Sequence, residues 1–172
     1  MTLQPDTKDW TWVLTRPCDE CGVDTGTIGI PDVAPTIRAA AVRWDGVLGR
    51  DAVRQRPRAD VWSPLEYAAH VRDVFRLFDA RVTMMLLQDD PLFGNWDQDE
   101  TAQRARYGEQ DPAVVRRQLA GAAEHIARTF DDVHGEEWQR TGRRSDGAVF
   151  SVETFARYLL HDVLHHLHDV RA

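Results

Sequence analysis

A helix start signal at Ser63 is the feature that most limits how this chain can fold. Ser63 suits an N-cap, Pro64 suits the first helical position, and Glu66 stands where a capping box requires it. Apolar residues then recur at helical spacing as far as Met85. The sequence therefore predicts one long amphipathic helix of fixed register, with Arg72 and other charged residues on the face turned away from the core.

Three further segments show the same helical periodicity, and no sheet is predicted. They cover residues 36–48, 111–130 and 151–170, and the last two begin with Asp111 and Ser151 as N-caps. A polar connection from about Gln88 to Gln110 joins the second helix to the third. These elements predict an all-α fold, a four-helix bundle with a long crossover between helices 2 and 3.

Length and charge limit the domain count and the class of partner. A chain of 172 residues suits one domain, which we expect at residues 35–172 behind an irregular N-terminal arm at residues 1–34. The net charge of -7 argues against nucleic acid or an anionic membrane as the main partner, and the expected substrate is a small molecule. Because no membrane-spanning run or signal peptide is evident, we expect a cytoplasmic protein.

Histidines concentrate on the last predicted helix. His161, His165, His166 and His168 fall within a short apolar segment, and His70 lies on the second helix. Two imidazoles four residues apart share a helical face, so His161 and His165 could hold one metal ion with a third ligand from another helix. The alternative is a polar helix end with surface or capping histidines, and a His70 that only borders the core.

A helical wheel gives a second choice of ligands on this helix. The apolar arc centres near Val163 and Leu167, and His165 falls well away from that centre. Asp162 and His166 have the same four-residue spacing and lie closer to the apolar edge. The residues alone leave both pairs open.

Cys18 and Cys21 are the only cysteines and form a Cys-Asp-Glu-Cys-Gly motif in the arm. This spacing is that of half a zinc knuckle, and a complete site would need other ligands. A reduced structural turn and a redox pair are the alternatives. The irregular sequence after Cys21 differs from the strand-to-helix setting of thioredoxin-like motifs.

Two motifs carry a family resemblance. They are Trp-Ser-Pro-Leu-Glu-Tyr-Ala-Ala-His-Val-Arg-Asp at residues 62–73 and His-Asp-Val-Leu-His-His at residues 161–166. From about Pro35 onward the chain resembles the DinB-like superfamily, which includes mycothiol-dependent maleylpyruvate isomerases and bacillithiol transferases. The resemblance implies a divalent metal, zinc or nickel, on His70, His161 and His165, and it implies a homodimer.

The resemblance also implies a function. Three neutral imidazoles would leave a tetrahedral metal one open position for water or a thiolate. We therefore expect a transferase that uses a low-molecular-weight thiol such as mycothiol. The alternatives are a metal-dependent hydrolase and a noncatalytic metal-binding stress-response or interaction protein. In the isomerase branch the first ligand on the last helix is a glutamate, and His161 stands there in this sequence, which weighs against the isomerase reaction.

Overall fold

Four long helices form the body of the molecule. The computed structural model describes residues 9–172, so residues 1–8 of the predicted arm lie outside the described residues. The helices are α1 (Val33–Leu48), α2 (Pro64–Leu87), a short α3 (Gln98–Arg104), α4 (Pro112–Asp131) and α5 (Val152–Asp169). Helices α1 and α2 each pack against both α4 and α5. The predicted all-α bundle with a long crossover, here between α2 and α4, is confirmed.

The start of α2 has the capping box that the sequence predicts. The hydroxyl of Ser63 accepts a hydrogen bond from the backbone N–H of Glu66 at 3.3 Å. The Glu66 carboxylate in turn accepts the backbone N–H of Ser63 at 2.8 Å and the Arg56 guanidinium at 2.9 Å. Because these bonds satisfy the first free N–H groups of the helix, they fix the register that places His70.

The Glu66→Ala variant is expected to lose about 2 kcal/mol of unfolding free energy, because it leaves the buried N–H of Ser63 without its acceptor. Urea denaturation followed by circular dichroism measures this loss. Glu100→Ala, at an exposed position on α3, is the matched control and should change stability by less than about 0.5 kcal/mol. Equal effects of the two substitutions would contradict the role given to the capping box.

Aromatic rings fill the core between α2 and α5. The ring of Phe155 stacks on Phe78 with centroids 4.3 Å apart, and Phe150 and Phe93 approach it at 5.2 and 5.7 Å. Phe155 itself is 1% exposed. Such contacts combine burial of large apolar surfaces with favourable ring geometry. This cluster fixes α5 against α2, the two helices that carry the candidate metal ligands.

A small sheet, which the sequence analysis did not predict, borders the bundle. Strand β1 (Leu92–Phe93) pairs in parallel with β2 (Thr141–Arg144), and β2 pairs antiparallel with β3 (Val149–Ser151). The expectation of no sheet was therefore wrong. Strands of two to four residues are too short to show an alternating pattern in the sequence. The turn between β2 and β3 depends on Gly147, whose φ of 97° favours glycine.

Arg72 is buried, contrary to its predicted place on the solvent-facing side of α2. Its side chain forms a salt bridge with Asp73 at 2.8 Å and donates to the side-chain oxygens of Gln110 and Gln118 at 2.7 and 2.9 Å. It therefore ties α2 to the crossover and to α4. Periodicity within α2 could not indicate this, because the partners come from other parts of the chain.

The described part of the arm runs along α5. Its backbone makes short 3-10 turns at residues 11–14, 25–27 and 30–32. The guanidinium of Arg157 on α5 donates to the carbonyl of Ile28 at 3.2 Å. Nearer the N-terminus of the arm, the ring of Trp10 lies 5.5 Å from His161 and 5.1 Å from His165, measured between ring centroids. This tryptophan therefore packs on the body. No helix within residues 9–172 is long and apolar enough to span a membrane.

Candidate metal centre

Helix α5 carries two neighbouring stripes of ligand-type side chains. Successive residues of an α-helix point about 100° apart, so residues 161 and 165 form one stripe and residues 162 and 166 form the next. The first stripe, His161 and His165, faces the N-terminal arm. The second, Asp162 and His166, faces His70 of α2. The two stripes therefore belong to two separate groups of side chains.

The inner site consists of His70, Asp162 and His166, whose ligand atoms all lie within 4.8 Å of one another. Oδ1 of Asp162 is 3.7 Å from Nε2 of His70 and 3.9 Å from Nε2 of His166. These distances exceed those of hydrogen bonds. One ion at about 2.0–2.2 Å from each atom can bridge separations of this size.

Unsatisfied polar atoms at the inner site also fit a metal ion. His70 is fully buried, and within residues 9–172 neither of its ring nitrogens has a hydrogen-bond partner. Oδ1 of Asp162 is buried and equally without one. Buried polar atoms are nearly always paired in folded proteins, so such a group calls for an explanation. A cation bound by Nε2 of His70 and Oδ1 of Asp162 would pair two of these three atoms.

Surrounding residues hold the inner-site imidazoles in place. Nδ1 of His166 lies 2.8 Å from Oδ2 of Asp169, which leaves Nε2 to face Asp162. A carboxylate on the far nitrogen is the usual support of a metal-binding histidine. The ring of Trp96, from the crossover, stacks on His70 at 5.4 Å with an angle of 9° between the rings. The crossover therefore covers one face of His70.

His70, His161 and Asp162 have the protonation states at neutral pH that a metal ion needs. Burial lowers the pKa of His70 below its ordinary value, so its imidazole is neutral. Burial works against ionisation of Asp162, but the neighbouring His166 and His70 outweigh it and lower the pKa of this carboxyl to about 2. Burial, together with His165, lowers the pKa of His161 to about 4. Neutral imidazoles and a charged carboxylate are the forms that bind metals.

The outer cluster consists of Cys18, Cys21, His161 and His165, again with all ligand atoms within 4.8 Å of one another. The ligand set implied by the resemblance is therefore divided, because His70 lies in the inner site and His161 and His165 in the outer cluster. The Asp162 and His166 pair that the helical wheel left open is the pair beside His70. Whether His70, His161 and His165 share a metal stays a prediction that the structure does not favour.

Two cavities meet at Asp162. The first, about 340 Å³, combines aromatic rings with carboxylates and reaches His166; its walls include Trp10, Trp62, Tyr67, Glu20, Asp60 and Asp99. The second, about 410 Å³, contains Arg81 and Arg144 together with the carboxylates of Asp9, Asp97, Asp99 and Asp146. Tyr158 lines both cavities. The inner site is therefore reachable from two cavities that both contain carboxylates, and only the second also contains arginines.

Comparison with known proteins decides the family. The family model of the DinB superfamily matches residues 37–170. The chain belongs to the DinB superfamily. The predicted family is thus confirmed, and its match covers the bundle and leaves most of the arm outside. None of the curated proteins matches this DinB-superfamily chain.

A solved structure shares the DinB-superfamily fold of this chain. It is YfiT from Bacillus subtilis, described as a probable metal-dependent hydrolase with an unusual four-helix bundle topology. The likeness has a TM-score of 0.73 at 12% identity and covers 84% of this chain and 88% of YfiT. At this identity the likeness establishes the fold.

Several residues of the site were not predicted from the sequence. Trp96 is a single aromatic residue in a loop, and Tyr158, although one turn before His161, belongs to no motif of its own. Arg81 is a charged residue on the second helix, and nothing in the sequence distinguishes it from the exposed ones. The outer cluster did leave a signal, since Cys-x-x-Cys and His-x-x-x-His are the two halves of a common zinc pattern. Because the two halves are far apart along the chain, the sequence alone did not show that they form one group.

Proposed function

We propose that this protein is a divalent-metal-dependent transferase that joins a low-molecular-weight thiol, such as mycothiol, to a small anionic electrophile. The proposed ligands are His70, Asp162 and His166, and zinc or nickel is the proposed ion. The observation that carries the proposal is the meeting at Asp162 of two cavities, of which only the second contains arginines. A transferase must bring two substrates to one point, and this arrangement provides a separate approach for each.

The first cavity suits a neutral thiol rich in hydroxyl groups. Carboxylates of Glu20, Asp60 and Asp99 face it and can accept hydrogen bonds from hydroxyls. The rings of Trp10 and Trp62 offer flat apolar surfaces on which a sugar can lie. Mycothiol, a cysteine derivative carried on a sugar and an inositol, has this chemistry.

Arg81 in the second cavity suits an anionic group on the electrophile. Arg81 is 7% exposed and donates to the carbonyl of Gly94 at 2.5 Å, and no carboxylate within residues 9–172 forms a salt bridge with it. Burial lowers its pKa to about 10, which still leaves it charged at neutral pH. Arg144 lies in the same cavity and forms a salt bridge with Asp146 at 2.7 Å. A buried guanidinium without a counter-ion favours a carboxylate on the substrate.

The chain's own residues have separable roles in this proposal. His70, Asp162 and His166 would hold the ion, and Trp96 would exclude water from one face of His70. When bound, a divalent ion lowers the pKa of a thiol or water beside it and so supplies a nucleophile near neutral pH. Burial raises the pKa of Tyr158, so its hydroxyl stays protonated and can donate to a substrate oxygen.

A second candidate function is metal-dependent hydrolysis. The observation that favours it is the fold shared with YfiT, which is described as a probable metal-dependent hydrolase. Water would then take the place of the thiol as nucleophile. The two candidates differ in one respect that an assay can detect, since only the transferase requires a thiol.

An assay of thiol consumption tests the proposal. The metal-loaded protein is mixed with mycothiol and a small electrophile, and loss of free thiol is followed against a protein-free control. The Asp162→Asn variant, which keeps the size of the side chain, is expected to lose about 100-fold or more of the rate because the ion is held weakly. The exposed Asp132→Asn substitution is the matched control. Undiminished activity in Asp162→Asn would overturn the proposal, and metal-dependent hydrolysis without thiol would favour the second candidate.

The Arg81→Met variant is expected to discriminate between charged and neutral electrophiles. With maleate, kcat/KM for thiol addition should fall by about 10- to 100-fold, the usual loss for a hydrogen bond to a charged group. With dimethyl maleate, which has no carboxylate, the change should be less than about threefold. Arg76→Met, a half-exposed arginine on the same helix, is the control. Equal losses with both electrophiles would show that Arg81 does not bind the anion.

A further inference from the structure

The outer cluster joins the N-terminal arm to the face of α5 beside the inner site. Sγ of Cys18 lies 3.7 Å from Nδ1 of His165, and Sγ of Cys21 lies 3.8 Å from Nε2 of His161. The paired residues are 147 and 140 positions apart in the chain. Chain proximity therefore does not explain why two thiols and two imidazoles converge.

The arm presents its two sulfurs by a tight turn. The backbone N–H of Gly22 donates to the carbonyl of Cys18 at 2.8 Å, and the N–H of Cys18 donates to the carbonyl of Val23 at 2.9 Å. Gly22 has a φ of 75°, a conformation that favours glycine. The turn closes the Cys-x-x-Cys segment so that both sulfurs reach the same helix face. The glycine of the motif is thus required by the backbone.

We infer that Cys18, Cys21, His161 and His165 bind a structural zinc ion, separate from the metal of the inner site. Zn–S bonds of about 2.3 Å and Zn–N bonds of about 2.0 Å at a tetrahedral angle place sulfur and nitrogen about 3.5–3.6 Å apart. The two sulfur–nitrogen distances in the structure are close to this value. Four protein ligands of this type leave no open position, which is typical of a structural zinc site.

Neighbouring carboxylates support His165 in this role. With Nδ1 directed at Cys18, its other ring nitrogen lies 3.6 Å from Glu20 and 3.8 Å from Asp169. These separations are longer than hydrogen bonds, so the two carboxylates favour a bound cation at His165 through their charge. Asp169 thus stands beside the imidazoles of both stripes, because it also contacts His166 of the inner site.

The inferred zinc would attach the arm to the body where the arm borders the substrate cavities. Trp10 packs on the rings of both His161 and His165 and lines both cavities. A metal cross-link at Cys18 and Cys21 would hold this stretch of the arm against α5. The inner site needs none of these four ligands, so either site can be present without the other.

Elemental analysis of the full chain, purified without an affinity tag or chelator, tests the inference. The parent protein is expected to hold about two divalent ions per chain, and the Cys18→Ser, Cys21→Ser double variant about one. The double variant should also melt roughly 10 °C lower, because zinc contributes directly to folding. The His70→Ala variant should likewise keep about one ion, this time in the outer cluster.

Two further measurements use proteins that keep both cysteines, and they cover the case in which the double variant does not fold. Cobalt substituted for zinc should give the intense near-ultraviolet thiolate-to-cobalt band, with the same intensity in the parent and in His70→Ala. A mercurial reagent that titrates thiols should release about one zinc ion for every two thiols. The exposed Asp19→Asn variant, inside the same motif, is the matched control and should behave as the parent does.

The outcomes separate this inference from the proposed function. A single ion per chain that survives loss of both cysteines, or a Cys18–Cys21 disulfide in metal-free protein purified under reducing conditions, would overturn the zinc site. A single ion that survives His70→Ala and disappears from the double cysteine variant would support the zinc site and overturn the proposed catalytic metal. Absence of the thiolate band in the cobalt protein would also contradict the inference.

Discussion

Replacing His70 with alanine should remove the metal ion from the inner site and lower catalytic activity by about 1000-fold or more. His70 brings its ligand from α2, whereas Asp162 and His166 both lie on α5. Without it, two ligands on one helix face would have to hold the ion alone. Elemental analysis of the purified variant and its rate in the thiol assay measure the two effects.

His125→Ala is the control for this experiment. His125 lies on α4, its side chain is 75% exposed, and it belongs to neither candidate metal group. Its removal should leave metal content and rate unchanged. Circular dichroism of both variants checks that the bundle is intact. A His70→Ala protein that keeps the parent's metal content and activity would contradict the assignment of the inner site.

The Phe155→Ala variant is expected to lose about 4 kcal/mol of unfolding free energy. The substitution leaves a cavity where the ring now contacts Phe78, Phe93 and Phe150. The cost combines lost burial of a large apolar side chain with a space that its rigid neighbours can fill only in part. Urea denaturation of parent and variant gives the difference in unfolding free energy. Both curves are fitted with the same slope of unfolding free energy against urea concentration.

Val149→Ala separates a packing effect from a general effect of shortening side chains in this region. Val149 lies on β3 next to Phe150, but its side chain is 57% exposed. The change should therefore cost less than about 0.5 kcal/mol. A loss below about 1 kcal/mol for Phe155→Ala would mean that the aromatic cluster does not fix α5 in the way described.

The bundle could be predicted because its signals are local. Ser63, Asp111 and Ser151 each cap a helix in the structure, as their positions in the sequence indicate. A cap and an apolar stripe act within a few residues, so they can be recognised without knowledge of the fold. One difference is the start of α1, which begins at Val33 where Thr36 was predicted. Pro35 is tolerated there because the first turn has free N–H groups in any case.

The remaining features depend on contacts between distant segments. The sheet joins Leu92 to Arg143, and Arg72 is buried only because residues of the crossover and α4 accept its hydrogen bonds. Neither contact is encoded in the periodicity of a single element. Both could be described only once the elements were packed together.

The division of metal ligands depends on a rotation of α5. Residues 161 and 165 and residues 162 and 166 have the same spacing, so spacing alone could not choose between them. A turn of the helix by about 100° exchanges the two pairs. Packing of Phe155 and the neighbouring core residues sets that rotation, and the resulting position brings Asp162 and not His161 next to His70.

Anomalous diffraction from crystals of the metal-loaded protein tests the central claim most directly. Data collected on both sides of the absorption edge of the bound metal locate each ion and identify its element. We expect a peak at about 2.0–2.2 Å from Nε2 of His70, Oδ1 of Asp162 and Nε2 of His166. A peak that joins His70 to His161 and His165, or no peak beside His70, would contradict it.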